Sequence, residues 1–305
     1  MAKAGVDAAV SLAPSRTGVG RMRSDWTGWR LLLGGVVLGC VGMSVYATPV
    51  AAKKPPKTTT TTTSTTTTTS TSATTTTTVA PTTTTVPPSP GGTAGGYDIS
   101  WPQCSGSYPK TVVFGIVGVS DGLPFYDNPC LASEYAWATA GSRPPAFYMN
   151  TADPGAQSVR WTLPGPQPCG GSSDDLGCAY NYGWNAADHA YGYANGQTGM
   201  AGNVVWWLDI ETANTWSPNV AANQADIQGM LDYFRAKSLQ VGAYSTASQW
   251  KQITGGESVA VPSWVPGASS ASQALSWCTP SHSFTGGPVT LVQYPAGSFN
   301  GDAAC

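Results

Sequence analysis

The nine residues Asn203–Glu211 constrain the fold of this chain more than any other stretch. The run is short, β-branched and aromatic, which predicts a buried strand rather than a helix. Because side chains alternate along a strand, Asp209 and Glu211 share one face with Trp207, and the two acids lie roughly 6.6 Å apart. Paired carboxylates at such a spacing can cleave a glycosidic bond. The alternative is a strand end whose acids cap the next helix or bind an Arg.

Charge divides the chain unevenly. Residues 1–57 carry eight Lys or Arg, whereas the part from Tyr97 onward has fourteen acidic and six basic residues. An acidic body disfavours nucleic acids and other phosphate-rich partners, because these bind clusters of Lys and Arg. Residues 97–305 are enough for one large core and for a barrel. We expect this body to be monomeric.

An apolar run, Leu31–Tyr46, follows a basic stretch near the start of the sequence. It is long for the core of a signal peptide and short for a comfortable membrane span. A cleaved export signal, an uncleaved anchor and lipid attachment at Cys40 all stay open. Each places the body outside the cytoplasmic membrane, with the basic flank inside. We therefore predict an export signal or membrane anchor over residues 1–52, and membrane contact through this segment alone.

Thr58–Pro90 is a low-complexity run of Thr with some Ser and Pro. It has no side chains that could form a core, so it predicts a disordered or extended stalk. Fully stretched, such a stalk would reach on the order of 100 Å, which suits the crossing of a cell wall. Gly91–Gly96 is expected to be a flexible hinge. These features predict a linker over residues 53–96 and a folded domain over 97–305.

The folded domain contains six cysteines, an even number that predicts disulfides in an exported protein. Six cysteines allow fifteen connectivities, which the sequence does not decide. Short loops favour Cys169–Cys178, and proximity then favours Cys104–Cys130 and Cys278–Cys305. No cysteine spacing matches a zinc site, and neither a metal nor another cofactor is expected.

Strands and helices alternate along the domain. The predicted strands are Tyr97–Ser100, Val112–Val119, Ala146–Asn150, Asn203–Glu211, Gln240–Ser245, Ser263–Val265 and Thr290–Tyr294. The predicted helices are Cys130–Ala140, Asn185–Asn195, Ala221–Ser238, Ala247–Thr254 and Ser270–Trp277, with a long loop over Thr151–Asn181. Such alternation forms parallel βα units, so the predicted fold class is α/β. The expected architecture is a TIM-like (β/α) barrel that contains disulfides, and an irregular form of this barrel stays open.

Acidic residues lie at or just beyond the predicted strand ends, where the active residues of such barrels are found. They are Asp98, Asp121, Asp209, Glu211 and Asp302.

Several of these segments resemble the family 25 glycoside hydrolases, the Chalaropsis-type lysozymes. Tyr97–Gln103 resembles the opening D-x-S-x-x-Q of that family, and Leu208–Glu211 matches its D-x-E strand. Other resembling segments follow in the family's order: Phe114–Gly122, Val241–Thr246, Ser263–Val265, Leu291–Tyr294 and Gly301–Asp302. The resemblance covers 97–305, although the loop Thr151–Asn181 has no counterpart.

This resemblance implies an enzyme that hydrolyses the β-1,4 bond between N-acetylmuramic acid and N-acetylglucosamine in peptidoglycan. Glu211 would be the general acid, with its pKa raised by an apolar setting to which Trp207 contributes, and Asp209 would stay ionised. The reasoning is that the proton settles on the less solvated carboxyl, taken to be Glu211. The expected substrate-binding residues are Asp98, Asp302, Asp121, Tyr244, Trp264 and Gln293. The protein would act extracellularly or in the cell wall.

Two other functions fit parts of the sequence. The same cleft could bind a wall glycan without cutting it. Alternatively, Gly118–Gly122 fits G-x-S-x-G after a strand, so Ser120 with His282 as base could form a serine hydrolase. A nucleophile elbow needs a helix immediately afterwards, and Pro124 and Pro129 oppose one.

Overall fold

The computed structural model describes residues 92–104 and 106–305. The apolar run at Leu31–Tyr46, the lipidation candidate Cys40 and the Thr-rich stalk lie outside the described residues. Within the described part, no helix combines the length and the apolar character needed to cross a membrane.

Eight strands close into a barrel in sequence order. They are β1 (Thr93–Ile99), β2 (Phe114–Gly118), β3 (Ala146–Asn150), β4 (Val205–Asp209), β5 (Val241–Tyr244), β6 (Ser263–Val265), β7 (Val289–Ala296) and β8 (Phe299–Ala304). Neighbours from β1 to β7 are parallel. The last strand is antiparallel to both β7 and β1. The expected disulfide-containing α/β barrel is confirmed, with β8 as its irregular element.

Five helices cover the outside of the barrel. They are α1 (Leu131–Ala138), α2 (Leu176–Thr198), α3 (Val220–Ala236), α4 (Ala247–Thr254) and α5 (Ala271–Ser276). Alternation along β4 decides which side chains meet them, because Trp206, Leu208 and Ile210 belong to the same buried cluster as the apolar faces of α2 and α3. The intervening Trp207 belongs to a separate cluster inside the barrel. The acid-bearing face of β4 is therefore the inner face.

Aromatic rings fill the barrel interior, and glycines on neighbouring strands make room for them. The interior cluster consists of Phe114, Ile116, Trp207, Trp264 and Leu291. A Cβ atom on Gly242 would overlap the Trp207 ring, and one on Gly96 would overlap the Phe114 ring. Interiors packed to this density tolerate little added volume.

Helix α2 is longer than the sequence predicted. The short helix expected at Asn185–Asn195 is part of Leu176–Thr198, so the loop expected to reach Asn181 ends earlier. The Asp175 side chain caps the helix by accepting a hydrogen bond from the Cys178 N–H. Glycines hide this helix in the sequence because they lower helix propensity. One of them, Gly183, lies so close to α3 that a Cβ there would overlap the Asp226 carbonyl.

The two strands that close the barrel, β1 and β8, both differ from the prediction. Strand β8 was not predicted, since Phe299–Ala304 lacks β-branched residues. Strand β1 begins at Thr93, so the prediction of a flexible hinge was wrong for Thr93–Gly96. Pairing explains both differences, because Thr93 lies opposite Ala304 and β8 also pairs along β7.

The disulfides join loops to helices and chain ends. The three expected pairs, Cys104–Cys130, Cys169–Cys178 and Cys278–Cys305, are all present. The first fixes the segment after β1 to the start of α1, and the second fixes the β3–α2 loop to the first turn of α2. The third fixes the residue after β8 to the segment after α5.

The packing of Trp207 over Gly242 can be tested by adding one methyl group. We expect Gly242→Ala to lower the free energy of unfolding by about 2 kcal/mol, because the new Cβ must displace the indole ring or the strand. Urea denaturation with intact disulfides measures this loss. Gly196→Ala is the control: it lies in α2 with open space around the new Cβ, so it should stabilise by up to about 1 kcal/mol. Equal midpoints for both variants would contradict the packing described.

Candidate active site at the carboxyl ends of the strands

A polar cavity of about 130 Å³ opens at the carboxyl ends of the barrel strands. Its lining residues are Asp98, Tyr148, Asp209, Glu211, Tyr244, Trp264, Gln293 and Asn300. A larger cavity of about 610 Å³ includes residues at the amino ends of the strands, but its lining is mostly apolar and includes no carboxylate among the described residues. The smaller cavity is therefore the one with groups that can perform acid–base chemistry.

Strand register brings four of the site side chains into one row. Asn150 on β3 lies opposite Asp209 on β4, and Asp209 lies opposite Tyr244 on β5. Tyr244 in turn lies opposite Trp264 on β6. Residues at matching positions on adjacent strands present their side chains to the same face, so this row follows from backbone pairing.

The acid pair lies at the end of β4, as the sequence predicted. Asp209 is the last residue of the strand and is 8% exposed, whereas Glu211 is half-buried just beyond it. The Trp216 indole N–H donates to the Glu211 carbonyl at 2.7 Å and holds the backbone there. Asp209 is therefore the less solvated carboxyl, and the prediction that this would be Glu211 was wrong.

The environment of Asp209 opposes its negative charge. Burial is the main cause that raises its pKa well above the ordinary value, and the nearby charges of Glu211 and Asp98 act in the same direction. A hydrogen bond from Asn150 Nδ2 to Asp209 Oδ2, 2.6 Å long, counteracts them. The other oxygen, Oδ1, is buried and has no hydrogen-bond partner among the described residues. The charge of Glu211 thus opposes the ionisation of Asp209.

Asp98 forms the centre of a second polar network across the cavity. It accepts hydrogen bonds from Gln293 Nε2 at 2.8 Å and Asn300 Nδ2 at 3.2 Å. The Tyr244 hydroxyl donates to Gln293 Oε1 at 3.0 Å, which fixes the orientation of that amide. The surrounding protein desolvates Asp98 and raises its pKa to about 6, although both amides oppose the shift.

Asp302 lies beneath this network. Its side chain is fully buried and accepts a 2.8 Å hydrogen bond from the Trp264 indole N–H. Burial, followed by the charge of Asp98, raises its pKa well above the ordinary value, which favours the protonated form of Asp302. Because it does not line the cavity, the expectation that Asp302 contacts substrate is not supported. Its contact with Trp264 instead helps to hold the cavity wall.

Asp121 is not brought into the cavity with the other predicted residues. It lies on the loop after β2, where its backbone N–H donates to the Tyr126 carbonyl. The cavity lining does not include it. Tyr244, Trp264 and Gln293, in contrast, all line the cavity, and their contact with substrate stays a prediction.

The serine hydrolase alternative is not favoured by the geometry. Ser120 Oγ is engaged with Asn150, whereas His282 stacks on Trp277 with ring centroids 4.6 Å apart. The residues after Ser120 form a loop, and the next helix begins at Leu131. Ser120 therefore lacks a hydrogen bond to the predicted base His282, and it lacks the following helix that a nucleophile elbow requires.

Three residues of the site were not predicted from the sequence. Tyr148 and Asn150 lie on the inner face of a strand whose limits were predicted correctly, so strand alternation could have found both. Asn300 comes from β8, which was not predicted, so no signal pointed to it. Among residues 92–104 and 106–305, no group of three or more His, Cys, Asp or Glu side chains is placed to hold a metal ion.

Two sequence comparisons each match a part of this chain. A family model described as lysozyme-like protein 1 matches residues 180–266, which include Asp209, Glu211, Tyr244 and Trp264. A probable family 25 lysozyme of Dictyostelium discoideum is 38% identical over 64 residues. The chain is therefore similar to lysozyme-like and family 25 proteins over limited segments, and we call its barrel the family 25-like barrel. The aligned segment is 21% of this chain and 29% of that relative, so the chain matches less than a third of the relative's length.

Two solved structures are also similar to the family 25-like barrel. The catalytic domain of an endolysin from bacteriophage P40 of Listeria monocytogenes shares 18% identity, covering 69% of this chain and 91% of that one, with a TM-score of 0.41. A family 25 glycosyl hydrolase from Bacillus anthracis shares 10% identity, covering 70% and 89%, with a TM-score of 0.42.

The raised pKa of Asp302 predicts that its replacement by Asn has a pH-dependent effect on stability. Its raised pKa means that the folded protein holds a proton that the unfolded chain releases above about pH 4. The wild type therefore loses stability as the pH rises through and beyond that value, by up to about 1.4 kcal/mol per pH unit. Asp302→Asn keeps the acceptor for Trp264 and carries no charge, so its stability relative to wild type should rise between pH 4 and pH 8.

Urea denaturation at several pH values measures this difference. Asp174→Asn is the control, because Asp174 is exposed and its removal should change stability by less than about 0.5 kcal/mol at each pH. A constant difference between Asp302→Asn and wild type across the range would show that Asp302 is not protonated in the folded state.

Proposed function

We propose that the family 25-like barrel hydrolyses the β-1,4 bond between N-acetylmuramic acid and N-acetylglucosamine in peptidoglycan. The observation that carries this proposal is the Asp209–Glu211 pair at the cavity, within the segment that the lysozyme-like model matches. One carboxyl must donate a proton to the leaving oxygen while the other supports positive charge on the sugar. A pair that favours one shared proton meets both needs.

The two carboxyls differ in how they can take part. Glu211 is half-buried and lies beyond the strand end, so its longer side chain is the one that can reach the leaving oxygen as general acid. Asp209 is fixed by the Asn150 amide. When the shared proton resides on Glu211, Asp209 is the anion that stabilises the sugar cation or orients the acetamido group of the substrate.

The remaining cavity residues suit a sugar ring. Tyr244 and Trp264 form an aromatic corner, with ring centroids 4.7 Å apart and planes at 65°. Asp98 and Gln293 offer polar atoms that hydroxyl or acetamido groups could meet. An apolar wall with a few oriented polar groups is the usual composition of a ligand site.

Action on peptidoglycan requires the barrel to lie outside the cytoplasmic membrane. The expected export signal or anchor and the Thr-rich linker, both inferred from sequence, would place it in the cell wall or outside the cell. We propose peptidoglycan, or a related wall polysaccharide, as its partner.

Substitution of the acid provides the direct test. We expect Glu211→Gln to reduce the turnover of peptidoglycan by at least about 10³-fold while leaving glycan binding nearly unchanged, because it removes the proton and keeps the shape. Asp209→Asn should also reduce turnover strongly. The wild type should show a bell-shaped pH profile that reflects the pair. The measurement is the release of new reducing N-acetylmuramic acid ends from purified peptidoglycan.

Glu257→Gln is the matched control, because Glu257 lies outside the cavity after α4 and should leave turnover unchanged. Release of reducing N-acetylglucosamine ends would contradict the proposed bond, and release of peptide or acyl groups would contradict glycosidase chemistry. Binding of peptidoglycan without any product would instead establish a non-catalytic wall-binding domain.

A further inference from the structure

A line of hydrogen bonds runs across the ends of three adjacent strands and stops at Asp209. Ser120, two residues beyond the end of β2, donates from Oγ to Asn150 Oδ1 at 3.1 Å. Asn150, the last residue of β3, donates from Nδ2 to Asp209 Oδ2 at 2.6 Å. Asp209 ends β4. We call these three residues the Ser–Asn–Asp line.

Ser120 determines which way the Asn150 amide faces. The Asn150 backbone N–H donates to Ser120 Oγ at 2.8 Å, so the two residues are joined by two hydrogen bonds. With its hydrogen directed at Oδ1, the hydroxyl selects the orientation in which the NH₂ group faces Asp209. The opposite orientation would place the amide oxygen against the carboxyl oxygen, which repels an ionised Asp209.

The surroundings of Ser120 leave it little room for another role. Its side chain is 5% exposed, and the space beside it is about 10 Å³, bounded in part by Phe125, Met149 and His189. A space of this size holds no more than about one water molecule and no sugar or acyl substrate. Ser120 therefore acts on its neighbours rather than on a ligand.

We propose that Asn150, held in orientation by Ser120, is a positioning residue that fixes the rotamer of the Asp209 carboxyl and favours its ionised form. This inference rests on the proposed hydrolase function for its kinetic consequence, but not for its structural content. The bond to Asn150 occupies Oδ2, whereas Oδ1 is buried and has no hydrogen-bond partner among the described residues.

Other ionisable groups also act on Asp209, and the test variants leave them in place. They are Glu211 beyond the same strand, Asp98 from β1, Tyr148 from β3 and Tyr244 from β5. Since Glu211 and Asp98 oppose the ionisation of Asp209, the Asn150 amide is the group whose loss should move the titration of the pair to higher pH.

The first experiment is a double-mutant cycle on the full chain, with the pH profile of peptidoglycan cleavage as the readout. We expect Asn150→Ala to lower kcat by about 10²-fold and to move the acid limb upward by about one pH unit. Ser120→Ala should lower kcat by about 3- to 10-fold and move the limb in the same direction by less. In the Asn150→Ala background, Ser120→Ala should have no further effect, because Ser120 acts through Asn150.

The second experiment does not need activity. The ¹³C shift of the Asp209 carboxyl, assigned by comparison with Asp209→Asn, reports its titration directly. We expect the apparent pKa to rise by about one unit in Asn150→Ala and by less in Ser120→Ala. Thr151→Val is the matched control: its hydroxyl donates to the Asp209 backbone carbonyl at 2.7 Å, so its loss should lower stability without raising the carboxyl pKa.

The outcomes separate the two proposals. If the wild type cleaves no glycan but the carboxyl titrations shift as expected, the hydrolase function fails and the positioning role stands. If Asn150→Ala folds, as urea denaturation would show, and leaves the Asp209 titration unchanged, the positioning role is wrong. Additive effects of Ser120→Ala and Asn150→Ala would overturn the dependence on Ser120. A loss of kcat of about 10⁴-fold or more in Ser120→Ala alone would instead identify Ser120 as a nucleophile.

Discussion

The exclusion of water from carboxyl groups at one mouth of the barrel governs the arrangement of the site. A desolvated carboxylate is costly unless hydrogen bonds or protonation offset its charge. Asp209, Asp98 and Asp302 are all desolvated, but they differ in their hydrogen-bond donors and in their pKa shifts. Asp209 receives one amide donor, Asp98 receives two, and Asp302 receives the Trp264 indole N–H while its pKa is raised well above the ordinary value. These differences give three chemically identical side chains different properties at one end of the barrel.

The apolar barrel interior beneath the carboxyl groups contributes to their desolvation. Trp207 and Trp264 meet edge to face with centroids 5.8 Å apart and form an apolar floor. The Trp207 ring fits because Gly242 leaves space on the neighbouring strand. The same indole that fills the core, that of Trp264, also donates to Asp302. Core packing and the acid–base groups therefore depend on shared residues. We expect substitutions in the core to alter the positions of the side chains that line the cavity.

The sequence predicted the parts of the fold whose local signals agree with their tertiary environment. Strand β4 was readable because its apolar run and terminal acids are contiguous, and Ala146–Asn150 was placed without error. Helix α2 was partly missed because glycines lower its helix propensity, and the contact of Gly183 with α3 is not revealed by any local pattern. The relative burial of the two acids was also mispredicted, because reach along the chain is visible in a sequence whereas solvent exposure is not. The role of Ser120 required the register of β2 and β3.

The antiparallel last strand has a consequence for how the site forms during folding. Asn300 and Asp302 come from β8, and Asn300 binds Asp98 across 202 residues of sequence. Contacts of such separation form late, since the entropy of closing a long loop must be met before they contribute. A chain in which β1 to β7 have paired would already possess Asp209, Glu211 and their amide donor, but the Asp98 network would be incomplete, because β8 supplies Asn300 and joins β7 to β1. The cavity would thus mature in two stages, with its acid pair assembled before its opposite wall.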